Sequence, residues 1–298
     1  MPIGAARLGF NFLRISSIVD VFPEYTKADL DALGITPSNT QYIVDNKHIK
    51  YTVNGNNSGA LGDNTTGIGL FYAPNGDGNY GVDDYITPGN PWETYAVQTN
   101  TDLIGGSNAS TVNIPTSLTQ DALVYAIGGD DNHYIILKGN ASIGWVIVQY
   151  KTLPGEAIIR MKMTYENTTG TTQYIQMLRA VDPDVDVGAY GSYNTFNQRG
   201  YGPISASDLV YSRGLVSNKP LSLYAPGNGY THNSAILTTW VTYFFNDYLN
   251  NTETSTTGDH AIGMAWDIGN VAPGETASVN CYYICGENLS DIVAAIAG

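Results

Sequence analysis

The chain has 298 residues, 43% of them hydrophobic, and carries a net charge of −14. That length supports one large β domain or two smaller ones with a sizeable core. Its 13 Lys plus Arg form no cluster, which excludes the basic footprint of a nucleic-acid binder and disfavours an anionic membrane surface. Only 13% of residues are charged, about half the ~25% of an ordinary soluble domain. Gly, Asn, Thr, Ser and Tyr take their place, with 33 Gly and 22 Tyr. Tyr and Thr suit a pleated, half-buried surface, and Gly and Asn suit tight turns.

Residues 1–22 read as an N-terminal arm. Leu8, Phe10 and Phe12 alternate with Gly9 and Asn11, the period of a strand that could add to a neighbouring subunit. Arg7 and Arg14 interrupt any apolar run, so no signal peptide is expected. No stretch of about 18 apolar residues predicts a membrane-spanning helix. Residues 26–36 predict a short helix, with Thr26 as N-cap, Asp29 three residues on and Gly34 as the stop.

Strands are predicted at 41–53, 67–73, 92–99, 121–127, 133–138, 143–151, 156–165 and 172–181. Turn signals such as Gly139-Asn140 and Pro154-Gly155 separate the later ones at a meander spacing of about 10–12 residues. Residues 182–233 read as loop-rich. Strands resume at 208–215, 235–245, 260–267 and 276–285, and a second short helix closes at 289–296. Cys281 and Cys285, four apart on a strand, would share a face roughly 13 Å apart, too far for a mutual disulfide. They read as two buried thiols.

The expected fold is an all-β, large antiparallel β-sandwich with an extended N-terminal arm and one or two short helices. Residues 1–40 would form the arm and first helix. Residues 41–298 would form the sandwich, with a break near 182–207 if it divides into two packed subdomains.

Residues 258–287 carry Ala261-Ile262, Trp266, Ile268-Gly269, Val271 and Pro273-Gly274-Glu275, followed by an aromatic strand. This pattern resembles the closing hairpin of supersandwich folds typified by galactose mutarotase-like domains. Residues 67–97 and 178–199 are similar to segments of surface-layer-like proteins, large adhesins and phage structural proteins. The opening Gly4–Phe10 resembles that of phage virion proteins. The three longer segments cover about a third of the chain.

Two acidic runs suggest cation ligands. From Asn75, oxygen-bearing side chains recur at Asp77, Asn79, Asp83 and Asp84, the alternation by which a loop wraps Ca²⁺. Position 12 of that run is Ile86, so it is not an EF-hand loop. Asp182, Asp184 and Asp186 alternate likewise, and on a strand they would share one face. Structural Ca²⁺ is the cofactor expected. His48, His133, His232 and His260 show neither HxH nor HExxH spacing. Asp259-His260 would serve as an acid/base pair only in a mutarotase-like sugar enzyme. Trp92, Tyr190, Tyr193 and Tyr230, in or beside loops, read as interface anchors or sugar platforms.

The resemblance and the absence of catalytic motifs lead to an expected non-enzymatic virion protein, a capsid decoration or tail component. It would assemble with itself and other virion proteins through the N-terminal arm (Leu8, Phe10, Phe12) and the Tyr/Asn-rich loops. No nucleic acid and no membrane insertion are expected. Two alternatives stand beside it: a cell-surface, glycan-binding adhesin, and a supersandwich carbohydrate-active enzyme.

Overall fold

The computed structural model describes residues 22–53, 58–62, 66–82, 84–87, 93–108, 122–127, 132–238 and 242–298. The arm residues Leu8, Phe10 and Phe12, together with Asp83 and Trp92, lie outside the described residues.

In chain order the elements are α1 (Lys27–Ala32), β1 (Tyr42–Asp45), β2 (Ile49–Val53), β3 (Leu70–Tyr72), β4 (Glu93–Gln98), β5 (Leu103–Ser107) and β6 (Leu123–Ile127). Then come β7 (His133–Asn140), β8 (Gly144–Lys151), β9 (Ile158–Glu166), β10 (Gln173–Val181), α2 (Val187–Tyr190), β11 (Thr195–Arg199) and β12 (Leu209–Gly214). The chain continues through β13 (Pro220–Tyr224), β14 (Thr231–Leu237), α3 (Phe245–Leu249), β15 (Ser255–Gly258), β16 (Ala261–Val271), β17 (Thr276–Cys285) and α4 (Leu289–Ala297). The protein is all-β and antiparallel, as the composition predicts, with four short helices among the described residues where one or two were expected.

Nine strands form the larger sheet, in the order β15-β11-β12-β13-β17-β9-β8-β7-β6. Five form a second, β14-β16-β10-β4-β5, and β1-β2-β3 form a third. The main core joins residues of all three, among them Tyr51, Val97, Met163, Met177, Trp266 and Tyr283. The outer face of the nine-stranded sheet carries two smaller apolar patches. Ile292 and Ala295 of α4 cover Tyr211, Tyr282 and Ile284, while Leu30 of α1 covers Ile135, Leu137 and Ile147.

Local chemistry sets the ends of these elements. The Thr26 hydroxyl accepts from the Asp29 amide, and the Asp29 carboxylate accepts from the Thr26 amide at 2.8 Å, a reciprocal cap that starts α1 where it was predicted. Ahead of α1, the Gln149 side chain donates to the Pro23 carbonyl and Lys162 pairs with Glu24, so this segment lies on the outer face of the nine-stranded sheet. Gly274, at φ +81°, turns β16 into β17 behind Pro273.

Small residues on β16 make room for α3. A Cβ at Gly263 would lie 2.4 Å from Tyr248 Cε1 and 2.8 Å from Ala180 Cβ. Gly263→Ala must therefore displace α3 or β10. Overpacking of this kind costs about 1–3 kcal/mol, which a chemical denaturation curve at constant m-value will read.

A charged pair sits between the two large sheets. Arg179 of β10 and Glu93 of β4 are both 0% exposed, with Nη2 and Oε1 2.6 Å apart. The Leu61 amide donates to Glu93 Oε2 at 2.7 Å, and the Tyr283 hydroxyl donates to Oε1 at 3.1 Å. Arg179 donates to the Tyr150 hydroxyl at 2.8 Å and lies over the rings of Tyr150 and Tyr283. Tyr150 belongs to β8 and Tyr283 to β17, so the network ties the five-stranded sheet to the nine-stranded one. Burial pushes the Glu93 carboxyl up, against the pull of Arg179. Burial alone would lower the Arg179 guanidinium, and the Glu93 carboxylate overrides this and holds it high.

Candidate functional site

One end of the five-stranded sheet gathers the chemistry. Leu237 of β14 pairs with Ala261 of β16, Ile262 pairs with Val181 of β10, and Val181 pairs with Glu93 of β4. The last residues of β14 and β10 and the first of β16 and β4 thus lie in one row. Adjacent strands are about 4.8 Å apart, so features on β14 and β10 at this end are separated by roughly 10 Å.

Three carboxylates meet there. Asp182 and Asp184 follow the end of β10, and Asp259 lies in the turn between β15 and β16. One oxygen from each lies within 4.8 Å of the other two. Asp182 and Asp184 are 6% and 2% exposed, and Asp259 is exposed. Burial, then the neighbouring Asp259, pushes the Asp182 carboxyl up to about 7. Burial, then Asp182, Asp259 and Asp84, pushes Asp184 up to about 9. The Asp184 amide is fixed by the Tyr85 carbonyl at 3.0 Å, while its Oδ1 is buried without a hydrogen-bond partner.

Asp186 does not join them. The strand ends at Val181, so the alternation that would align three carboxylates stops before the first Asp. Asp186 instead accepts from the amides of Val216, at 2.7 Å, and Ser217, at 3.2 Å, and closes the turn after β12. Among the described residues, the earlier acidic run does not converge either. Asp84 turns inward and accepts from the amides of Gly69, Leu70, Ile86 and Thr87 at 2.8–3.1 Å. Asp77 accepts from the Asn79 amide at 2.9 Å, an Asx turn on the surface.

Beside the carboxylates, α3 and the end of β14 border a polar groove of about 560 Å³. Its walls include Thr238, Thr242, Asn246, Asp247, Asn250 and Glu253. Phe244, between two of these lining residues, is 75% exposed. The sequence reading missed this groove because Phe244-Phe245 extends the apolar run of β14 and imitates a strand to residue 245. The local signal was Asn246-Asp247 followed by Asn250-Asn251, which no buried strand would carry.

Of the aromatic anchors, Tyr190 and Tyr193 are exposed, while Tyr230 packs against the main core. The histidines are dispersed. His232 Nε2 lies 2.7 Å from Asp208, His133 faces Gln149 at 3.2 Å, and His260 keeps a buried Nδ1 without a partner. Among the described residues, no helix is long and apolar enough to cross a membrane.

Neither a protein-family model nor a curated protein matches the sequence. Solved structures do match. A bacterial glucoamylase complexed with acarbose superposes with a TM-score of 0.54 at 12% identity, over 89% of this chain and 34% of the glucoamylase. The chain shares its fold with part of a glucoamylase. A human-microbiome protein described as a kojibiose phosphorylase gives 0.44 at 8% identity, over 86% of this chain and 32% of that one. A family 36 α-galactosidase from Geobacillus stearothermophilus gives 0.37 at 14%, over 84% and 41%. The chain thus spans about a third of the glucoamylase and of the phosphorylase-like protein. The glucoamylase match overturns the expectation of a non-enzymatic capsid decoration or tail component: the fold that this chain shares occurs within an enzyme.

Proposed function

We propose that the chain is the β-sandwich of a carbohydrate-active enzyme and that a saccharide lies in the groove beside α3. The observation that carries this reading is the lining of the groove: hydroxyls, amides and two carboxylates on a sandwich of the glucoamylase kind. Sugar hydroxyls both donate and accept, and Thr238, Thr242, Asn246 and Asn250 offer the matching groups. The volume falls within the range of small-molecule clefts. Phe244, exposed and lying in sequence between the lining residues Thr242 and Asn246, is the aromatic available to a sugar ring. Asp247 and Glu253 are the carboxyl groups available for proton transfer at a glycosidic oxygen.

Acarbose and maltooligosaccharides are the first ligands to titrate by calorimetry, with release of reducing ends followed in parallel. Asn250→Ala should weaken binding by on the order of tenfold, the worth of one good hydrogen bond. Asp247→Asn and Glu253→Gln should bind saccharide and lose turnover. Absence of both heat and turnover across α- and β-linked oligosaccharides would sink the reading.

A further inference from the structure

We propose that Asp182, Asp184 and Asp259 together hold one divalent cation of the hard, oxygen-seeking class, with calcium preferred. The site goes beyond the saccharide reading and stands or falls without it.

Three observations carry it. The first is convergence. Asp182 and Asp184 leave β10, and Asp259, more than 70 positions on, precedes β16, yet one oxygen of each comes within 4.8 Å of the others. Two Ca–O bonds of about 2.4 Å laid end to end span about 4.8 Å, so separations up to that limit are those of oxygens sharing one ion. The second is an orphan acceptor. Asp184 is 2% exposed, and its Oδ1 is buried with no hydrogen-bond partner. A buried carboxylate oxygen left bare is costly, and a cation satisfies it where no donor does. The third is the sign of the surroundings. The charged groups that act on Asp182 and Asp184 are themselves carboxylates: Asp259 for the first, and Asp182, Asp259 and Asp84 for the second. Like charges gathered without a counterion call for one from solution.

The ligand set is all oxygen, which excludes the thiolate and imidazole preference of zinc or copper. Two inner ligands are buried and Asp259 is exposed, so water can complete the shell on the solvent side. Calcium accepts such an irregular shell, whereas magnesium demands a near-ideal octahedron. A bound ion would pin the segment after β10 to the turn before β16, in the same strand-end row as the groove.

The test is equilibrium dialysis of the full chain, stripped with EDTA, against Ca²⁺, Mg²⁺ or Mn²⁺, with bound metal counted by mass spectrometry. Thermal unfolding is followed in the same buffers. Wild type should bind one Ca²⁺ per chain and melt higher with it. At a hundredfold excess over Kd, the folding constant should rise about a hundredfold. Asp259→Asn, on an exposed side chain, should keep the fold, lose the bound ion and lose the rise. Asp77→Asn, in the separate surface loop, should bind as wild type does. No bound metal at millimolar Ca²⁺, or full binding by Asp259→Asn, would overturn the proposal. So would loss of binding in Asp77→Asn.

Discussion

Glu93→Gln is expected to destabilise the protein by about 3–5 kcal/mol, measured by urea unfolding at 25 °C. The substitution keeps the size of the side chain and removes its charge, leaving the Arg179 guanidinium in the middle of the sandwich with 0% exposure and no carboxylate. Two of its nitrogens, Nε and Nη1, already lack hydrogen-bond partners. The rings of Tyr150, Tyr283 and Tyr95, at 5.0, 5.5 and 6.0 Å, and the Tyr150 hydroxyl would then be left to carry the charge. Arg179→Met should cost a similar amount by stranding the carboxylate. The double variant Glu93→Leu, Arg179→Met should recover most of the loss, because a packed apolar pair avoids the desolvation of both ions. A loss below about 1 kcal/mol in both single variants would mean that the pair does not tie the two sheets together.

Asp84→Ala should cost about as much, 3–5 kcal/mol, through a different route. One side chain serves four backbone amides, those of Gly69, Leu70, Ile86 and Thr87. Hydrogen bonds to a charged acceptor are worth about 1.5–3 kcal/mol each, and water entering a truncated site returns part of that. Asp84→Asn keeps one acceptor oxygen and should lose roughly half as much. Gly69 takes part in the same arrangement. A Cβ there would sit 2.2 Å from Asp84 Oδ1, so Gly69→Ala should mimic Asp84→Ala. Equal stability of Asp84→Ala and wild type would show that the turn holds without its carboxylate.

The strands dense in β-branched and aromatic residues were legible before any coordinates, because their burial and their propensity agree. β7 to β10, β16 and β17 fall within a few residues of their predicted bounds. β5 escaped because Leu103-Ile104 is followed by Gly105 and Gly106, poor strand formers. Their place is steric: a Cβ on Gly105 would meet the Tyr95 carbonyl at 2.2 Å, and one on Gly106 the Ser58 carbonyl at 2.0 Å. β11 and β13 were read as part of a loop-rich stretch, since Asn197, Ser222 and Pro220 are ordinary turn residues. Each is in fact held between two neighbouring strands.

For the acidic site, the sequence offered two of three residues. Asp182 and Asp184 were visible as alternating carboxylates, and Asp259 was noted only as a neighbour of His260. Its approach depends on β16 lying beside β10, a long-range pairing that no local pattern encodes. Asp186 was chosen by a strand rule that stops applying one residue before the run begins.

β17 lies between β13 and β9, and β16 lies between β14 and β10. One hairpin, residues 261–285, therefore supplies an interior strand to both large sheets. During synthesis on the ribosome, the four strands that border that hairpin, β9, β10, β13 and β14, must wait for it with a bonding edge open. Open edges of this kind recruit other chains. The nascent protein should depend on holding chaperones until about residue 285 has emerged, and a stop codon before residue 260 should yield aggregate rather than a smaller folded domain.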